Sequence, residues 1–123
     1  MRILGIESSC DETSAAVIDS DGTLRGHVIN SQQEHAAFGG VVPELASRAH
    51  MRTAVPTIRK ALVESNCDLT QIDGIAVTAG PGLVGSLLVG ISIAKGIALA
   101  AKKKLIGVHH LEGHIFSTLL EHQ

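Results

Sequence analysis

Three short stretches of this 123-residue sequence carry side chains whose types and spacing could do chemistry. The last of them, His109-His110-Leu111-Glu112-Gly113-His114, sets two imidazoles four residues apart. If Leu111 to Leu120 is helical, His110 and His114 stand one turn apart on one face, where they can share a divalent metal. Two ligands do not complete a site, and no other His, Cys, Asp or Glu stands at an obvious metal-ligand spacing from the pair. Zinc peptidases share the His-x-x-x-His spacing but place a glutamate directly after the first histidine as general base. Here Leu111 holds that place, and Glu112, one position later, points about a quarter turn away.

The first stretch, Glu7-Ser8-Ser9-Cys10-Asp11-Glu12-Thr13, lies between two strand-like runs. A strand that ends in a loop of acids and hydroxyls can wrap backbone N–H groups around a phosphate and set carboxylates near a reacting group. The same residues also suit an ordinary hairpin turn, and spacing alone leaves both readings open. The middle stretch, Gly80-Pro81-Gly82, turns a strand into a helix whose first N–H groups could meet an anion. It lacks the Lys-Ser/Thr ending of a P-loop and the three-glycine dinucleotide spacing, so a purely structural turn suits it equally well.

The elements that must position these stretches read as an α/β chain. Ile3 to Ile6 and Ser14 to Asp19 form strands, Asp21-Gly22 is a hairpin signal, and Leu24 to Asn30 completes a three-strand meander. Ser31 to Gly40 is a polar loop. Pro43-Glu44 opens a helix in which Met51, Val55, Ile58 and Leu62 recur at helical spacing and Glu44 pairs with Arg48. Pro56 predicts a kink or a division into two helices. Arg48 and His50 could face a ligand, although solvation is the simpler expectation for both. Ile72 to Ala79 is a buried strand, Leu83 to about Ala101 a helix, and Leu105 to Val108 a strand that delivers His109 to the mouth of the sheet.

That second helix repeats small residues at Gly82, Ser86, Gly90, Ala94 and Ala98, beside a bulky stripe of Leu83, Leu87, Ile91 and Leu99. The small stripe suits packing on the sheet or against a second copy of the chain. Its length approaches that of a membrane span, but Lys95, the glycines and the strand that follows favour a packed helix and no membrane. At 45% hydrophobic the chain can bury the core of one domain, and a net charge of −2 makes no electrostatic case for nucleic acid or anionic lipid. Cys10 and Cys67 form no disulfide framework and no signal-peptide pattern opens the chain, which together suggest a cytoplasmic setting.

Four stretches in order, Gly5 to Thr13, Gly39 to Arg48, Thr78 to Leu83 and His109 to His114, resemble the signatures of the tRNA adenosine threonylcarbamoyltransferases, a family formerly called glycoprotease or O-sialoglycoprotein endopeptidase. The resemblance implies a lobe like those of actin, the sugar kinases and the heat-shock chaperone ATPases, with helices on the faces of a mixed sheet. It implies transfer of a threonylcarbamoyl group from its adenylate to the adenosine beside the anticodon of tRNAs reading codons that begin with A. By motif position, His110 and His114 would be ligands of iron or zinc, and Glu12 would lie beside the reacting centre. Ser9, Cys10, Asp11 and Thr13, with Gly80, Pro81 and Gly82, would line a cleft for a nucleotide or threonylcarbamoyl-adenylate. The implied partners are tRNA and a related non-catalytic paralogue, with a homodimer through the 82–98 helix as a further option. Family members continue beyond this length, so residues 1–123 are expected to be an N-terminal lobe that folds but does not catalyse alone. A metallopeptidase, the activity of the older name, is the alternative that the displaced Glu112 counts against.

Overall fold

The computed structural model describes residues 1–9, 12–31, 40 and 43–109. Five strands form one mixed sheet: β1 (Arg2–Glu7), β2 (Glu12–Asp19), β3 (Leu24–Ser31), β4 (Gly74–Gly80) and β5 (Lys104–His109), in the order β3-β2-β1-β4-β5. β1, β2 and β3 pair antiparallel as a meander, and β4 and β5 add parallel to β1. The β2–β3 turn follows the Asp21-Gly22 signal: Gly22 takes φ 90° and donates to the Asp19 carbonyl at 2.9 Å, while the Asp21 carboxylate accepts from Thr23 N–H at 2.9 Å.

Two helices, α1 (Pro43–Glu64) and α2 (Val84–Ala101), cross between strands. They pack on each other, α1 over β2 and β3 and α2 over β4, so both lie on the same face. The core between them and the sheet contains Leu4, Ile6, Ala15, Val17, Val28, Ile58, Ile75 and Val77. The mixed sheet with packed helices is as expected, and among the described residues no helix covers the opposite face. There Gly5, Glu7, Ser14, Ala16, Ile18, Ala76, Thr78 and Val108 line an open cleft of about 310 Å3.

α1 departs from its sequence reading in three ways. Of the kink or division expected at Pro56, the division does not occur, and α1 is one helix across it. Proline removes only the bond to the Arg52 carbonyl, and both residues are exposed, so water can satisfy that oxygen. Its buried side is Ala46, Ala49, His50, Ala54, Thr57, Ile58 and Ala61, while Met51 is 69% exposed. Small side chains let the helix axis approach the sheet, which outweighs burial of the larger apolar groups. At Gly26 of β3 the approach is so close that a methyl group would stand 2.8 Å from the Ala61 carbonyl oxygen. Finally, His50 is neither solvated nor turned to the surface but fully buried. The Glu44–Arg48 pair forms as read, at 2.5 Å on the exposed side.

In α2 the small stripe faces inward. Ser86, Gly90, Ala94 and Ala98 are buried with Leu87, whereas Val84, Leu88 and Leu99 are exposed. The helix is long and apolar enough to cross a membrane by length and composition, and 28% of it is buried, where the stripe packs on β4 and α1.

At the end of the sheet opposite His109, the Asp19 carboxylate joins Arg2 at 2.8 Å and Arg25 at 2.6 Å. Hydrogen bonds first from Arg2 and then from Arg25 hold the Asp19 carboxyl below the ordinary carboxylate range. A depressed pKa adds stability that is present in full above the unfolded value of about 4 and is lost as pH falls through the folded value. Asp19→Asn is thus expected to lower the urea midpoint at pH 7 and to lower it by less as pH falls below about 4 toward 2, as the wild-type carboxyl takes up its proton. An equal loss at pH 7 and pH 2 would contradict this.

Candidate functional site

β1, β4 and β5 run parallel, so their C-terminal ends meet at one rim of the sheet, the usual place for a ligand in open α/β folds. Glu7 closes β1, Thr78 to Gly80 close β4, and His109 closes β5 opposite Gly80. β2 begins at the same rim with Glu12, because it runs antiparallel and Glu7 faces Ser14 across the pair. Two of the three stretches singled out in the sequence, the acid-and-hydroxyl loop and the glycine turn, therefore share one location.

They also touch. The Ser9 carbonyl accepts a hydrogen bond from Leu83 N–H at 2.8 Å, and Leu83 is the N-cap of α2. Gly82 makes the contact possible, since a Cβ there would lie 2.6 Å from the Ser9 carbonyl oxygen and 2.7 Å from Ser9 Cβ. Gly80, at φ 153°, adopts a backbone conformation that side chains disfavour, and the Gly80–Pro81 bond is cis. One turn into the helix, the Ser8 hydroxyl donates to the Ser86 carbonyl at 2.8 Å, and Gly90 leaves room for the Ser8 side chain. Ser86 Oγ itself is buried without a hydrogen-bond partner.

Glu7 ties the rim from the other side. One carboxylate oxygen accepts from Ser9 N–H at 2.5 Å and the other from the Thr78 hydroxyl at 2.5 Å. Charge-assisted bonds of this kind are about twice as strong as neutral ones, so the loop is held to both β1 and β4. The sequence reading placed Glu7 in the reactive loop without giving it a role. Its signal was position: an acid closing a buried strand one residue before serines.

Of the other residues read from the sequence, Glu12 is exposed at the rim. Thr13 is 1% exposed, and its hydroxyl lies 2.6 Å from His50 Nδ1 and 2.9 Å from Thr53 Oγ1. Gly80 is half-buried, and Pro81 and Gly82 are exposed. Cys10, Asp11, His110 and His114 lie outside the described residues, as does Glu112. Among the described residues no group of three or more His, Cys, Asp or Glu could hold a metal. The N-cap Leu83 offers no side-chain bond, so the N–H groups of the first turn of α2 are not capped by it.

The sequence model of the tRNA N6-adenosine threonylcarbamoyltransferases matches residues 23–123. A curated protein of that description from Gemmatimonas aurantiaca is 58% identical over 99% of this chain, and another from Syntrophus aciditrophicus is 56% identical over 98%. The chain spans 35% and 36% of their lengths, about a third in each case. Among solved structures, YeaZ from Pseudomonas aeruginosa superposes with a TM-score of 0.68 at 21% identity, over 89% of this chain and 45% of that one. A second, a protein with similarity to peptidase YEAZ, gives 0.67 at 21%, over 88% and 43%. At that identity the likeness concerns the fold, an actin-like ATPase lobe with a mixed five-stranded sheet.

Gly82→Ala is expected to push Ser9 off α2 and to cost about 1–3 kcal/mol, the usual range for overpacking. Gly96→Ala, where a methyl group would meet nothing, is expected to be neutral or to stabilise by up to about 1 kcal/mol. Chemical denaturation of the two variants measures both, and equal effects would contradict the packing described.

Proposed function

The chain belongs to the tRNA N6-adenosine threonylcarbamoyltransferase family, and from that premise we propose that its rim is one wall of the cleft where threonylcarbamoyl transfer occurs. One observation carries the reading: the Ser8-Ser9 loop start and the Gly80 to Gly82 turn are fastened together at the C-terminal ends of the parallel strands. That fastening sets loop backbone beside the first turn of a long helix whose N-cap, Leu83, supplies no side-chain bond, an arrangement that favours a phosphate.

In this proposal Ser9, Cys10 and Asp11, with Gly80, Pro81 and Gly82, frame the phosphate of threonylcarbamoyl-adenylate, while Thr13, buried toward α1, anchors the start of β2 beneath them. The adenosine amine of tRNA attacks the carbamoyl carbon, the bond from that carbon to the phosphate oxygen breaks, and AMP leaves. The amine also loses a proton. Glu12, exposed at the start of β2, is the base we assign to it, a role that typically contributes about 10²–10⁴ in rate. His110 and His114 would hold iron or zinc just beyond β5, whose last residue, His109, already stands at the rim beside Gly80. When bound, such a metal would polarise an acyl or phosphate oxygen. Catalysis would need the remaining two-thirds of the relatives' length, so the chain by itself is expected to bind without turning over.

The partner and compartment belong to the same proposal: a cytoplasmic protein that meets tRNA and pairs with a related lobe. Its neighbouring helices expose Met51, Val55 and Val63 on α1 and Val84, Leu88 and Leu99 on α2, apolar area suited to such pairing or to a second copy of the chain.

Calorimetric titration with AMP tests the cleft. Binding that weakens at least tenfold in Gly82→Ala is expected. No binding, or binding indifferent to Gly82→Ala, would remove the assignment. Zinc titration tests the metal ligands in the same way, with binding expected to vanish in both His110→Ala and His114→Ala.

A further inference from the structure

His50 is a fully buried imidazole that the chemistry above does not use. It sits on the alanine-lined side of α1 and reaches β2, where its Nδ1 lies 2.6 Å from Thr13 Oγ1. Thr13 Oγ1 is in turn 2.9 Å from Thr53 Oγ1, one turn further along α1. The Thr53 hydroxyl donates to the Ala49 carbonyl at 2.8 Å.

The bond from Thr53 to the Ala49 carbonyl has only one possible direction, and when it is made the directions of the other two follow from it. A hydroxyl has one hydrogen to donate. Thr53 gives its hydrogen to Ala49, so it can only accept from Thr13. Thr13 has then given its own hydrogen and must accept from His50. The proton of the imidazole therefore sits on Nδ1, and the bonds run His50 Nδ1–H to Thr13, Thr13 to Thr53, and Thr53 to the helix carbonyl. Bonds aligned in one direction polarise and strengthen one another in a buried setting.

We propose that His50 is a positioning residue for the candidate cleft, acting through Thr13. Strand side chains alternate between faces. Anchoring Thr13 toward α1, where Ala15 and Val17 also point, sets Glu12 and Ser14 on the opposite face, the one that carries Glu7. A slip of one residue in this strand start would turn Glu12 into the core and withdraw it from the rim. His50 thus decides which way the first residue of β2 presents its carboxylate. The inference rests on the functional reading only for the consequence at the cleft, since the tautomer and the anchor are properties of the chain itself.

Nitrogen-15 NMR of the histidine side chains of the intact chain tests the direction first. His50 is expected to show a protonated Nδ1, and a neutral ring protonated at Nε2 alone would overturn the proposal. The second arm compares His50→Ala, His50→Asn and Thr13→Val by AMP affinity, by hydrogen exchange of the Glu12 to Ser14 amides and by melting temperature. Asparagine returns an N–H donor near the place of Nδ1. We expect His50→Ala and Thr13→Val to speed exchange at Glu12 to Ser14 and to weaken AMP binding at least tenfold well below their melting temperatures, with His50→Asn within threefold of wild type. Variants that melt earlier yet keep wild-type exchange and affinity would show a purely structural role and overturn the proposal. If His50→Ala does not fold, Thr13→Val and the tautomer decide it. Absence of AMP binding by the wild-type chain would remove the functional reading instead, and the exchange and tautomer results would then decide this one.

Discussion

The hydrogen bond from Leu83 N–H to the Ser9 carbonyl constrains more of this structure than its size suggests. It occupies the N–H at the N-cap of α2 and fixes where the chain leaving β1 can go. It exists only because Gly82 has no side chain to separate the two backbones. With the loop start held on the helix, Ser8 reaches the Ser86 carbonyl and fills the space that Gly90 leaves. Glu7 then joins the Ser9 amide to Thr78 on β4, and the rim becomes one connected unit made from two strand ends and a helix start.

The same logic of close approach governs the other helix. α1 buries alanines, Thr57, His50 and Ile58 and leaves Met51 and Val63 in solvent, because much of the side that lies on β2 and β3 approaches too closely for anything but small groups. Gly26 meets the end of α1 for the same reason. The close fit brings His50 within hydrogen-bond distance of Thr13, so packing at the back of the sheet determines which face Glu12 presents at the front. Fold and candidate chemistry are linked through that one threonine.

Much of this was legible from local patterns. The meander, the Asp21-Gly22 turn, the strand into Gly80 and the long second helix follow from alternation, turn chemistry and helical spacing. Packing on the sheet was one of the two readings the small stripe offered, and Ser86, Gly90, Ala94 and Ala98 do face inward. Periodicity placed the α1 helix through Met51, Val55, Ile58 and Leu62 but did not give its buried face: Ile58 is in the core and Leu62 packs against it, while Met51 and Val55 are exposed. Hydrophobicity ranks side chains by what they gain from burial, but here the space available decided. The division at Pro56 failed because a single lost bond on an exposed side is tolerated within a long packed helix. His50 and Glu7 could not be assigned from sequence, since their roles depend on Thr13, Ser9 and Thr78, partners brought to them by tertiary pairing.

Native-state hydrogen exchange at the Leu83 amide tests the central claim most directly. If the Ser9 carbonyl holds that hydrogen and the rim is one unit, Leu83 N–H will exchange as slowly as the β4 amides between Ile75 and Val77, through the same global opening. Exchange at the rate of an open turn, orders of magnitude faster than β4, would mean that the loop and the helix start are not joined, and the account of the rim would fail.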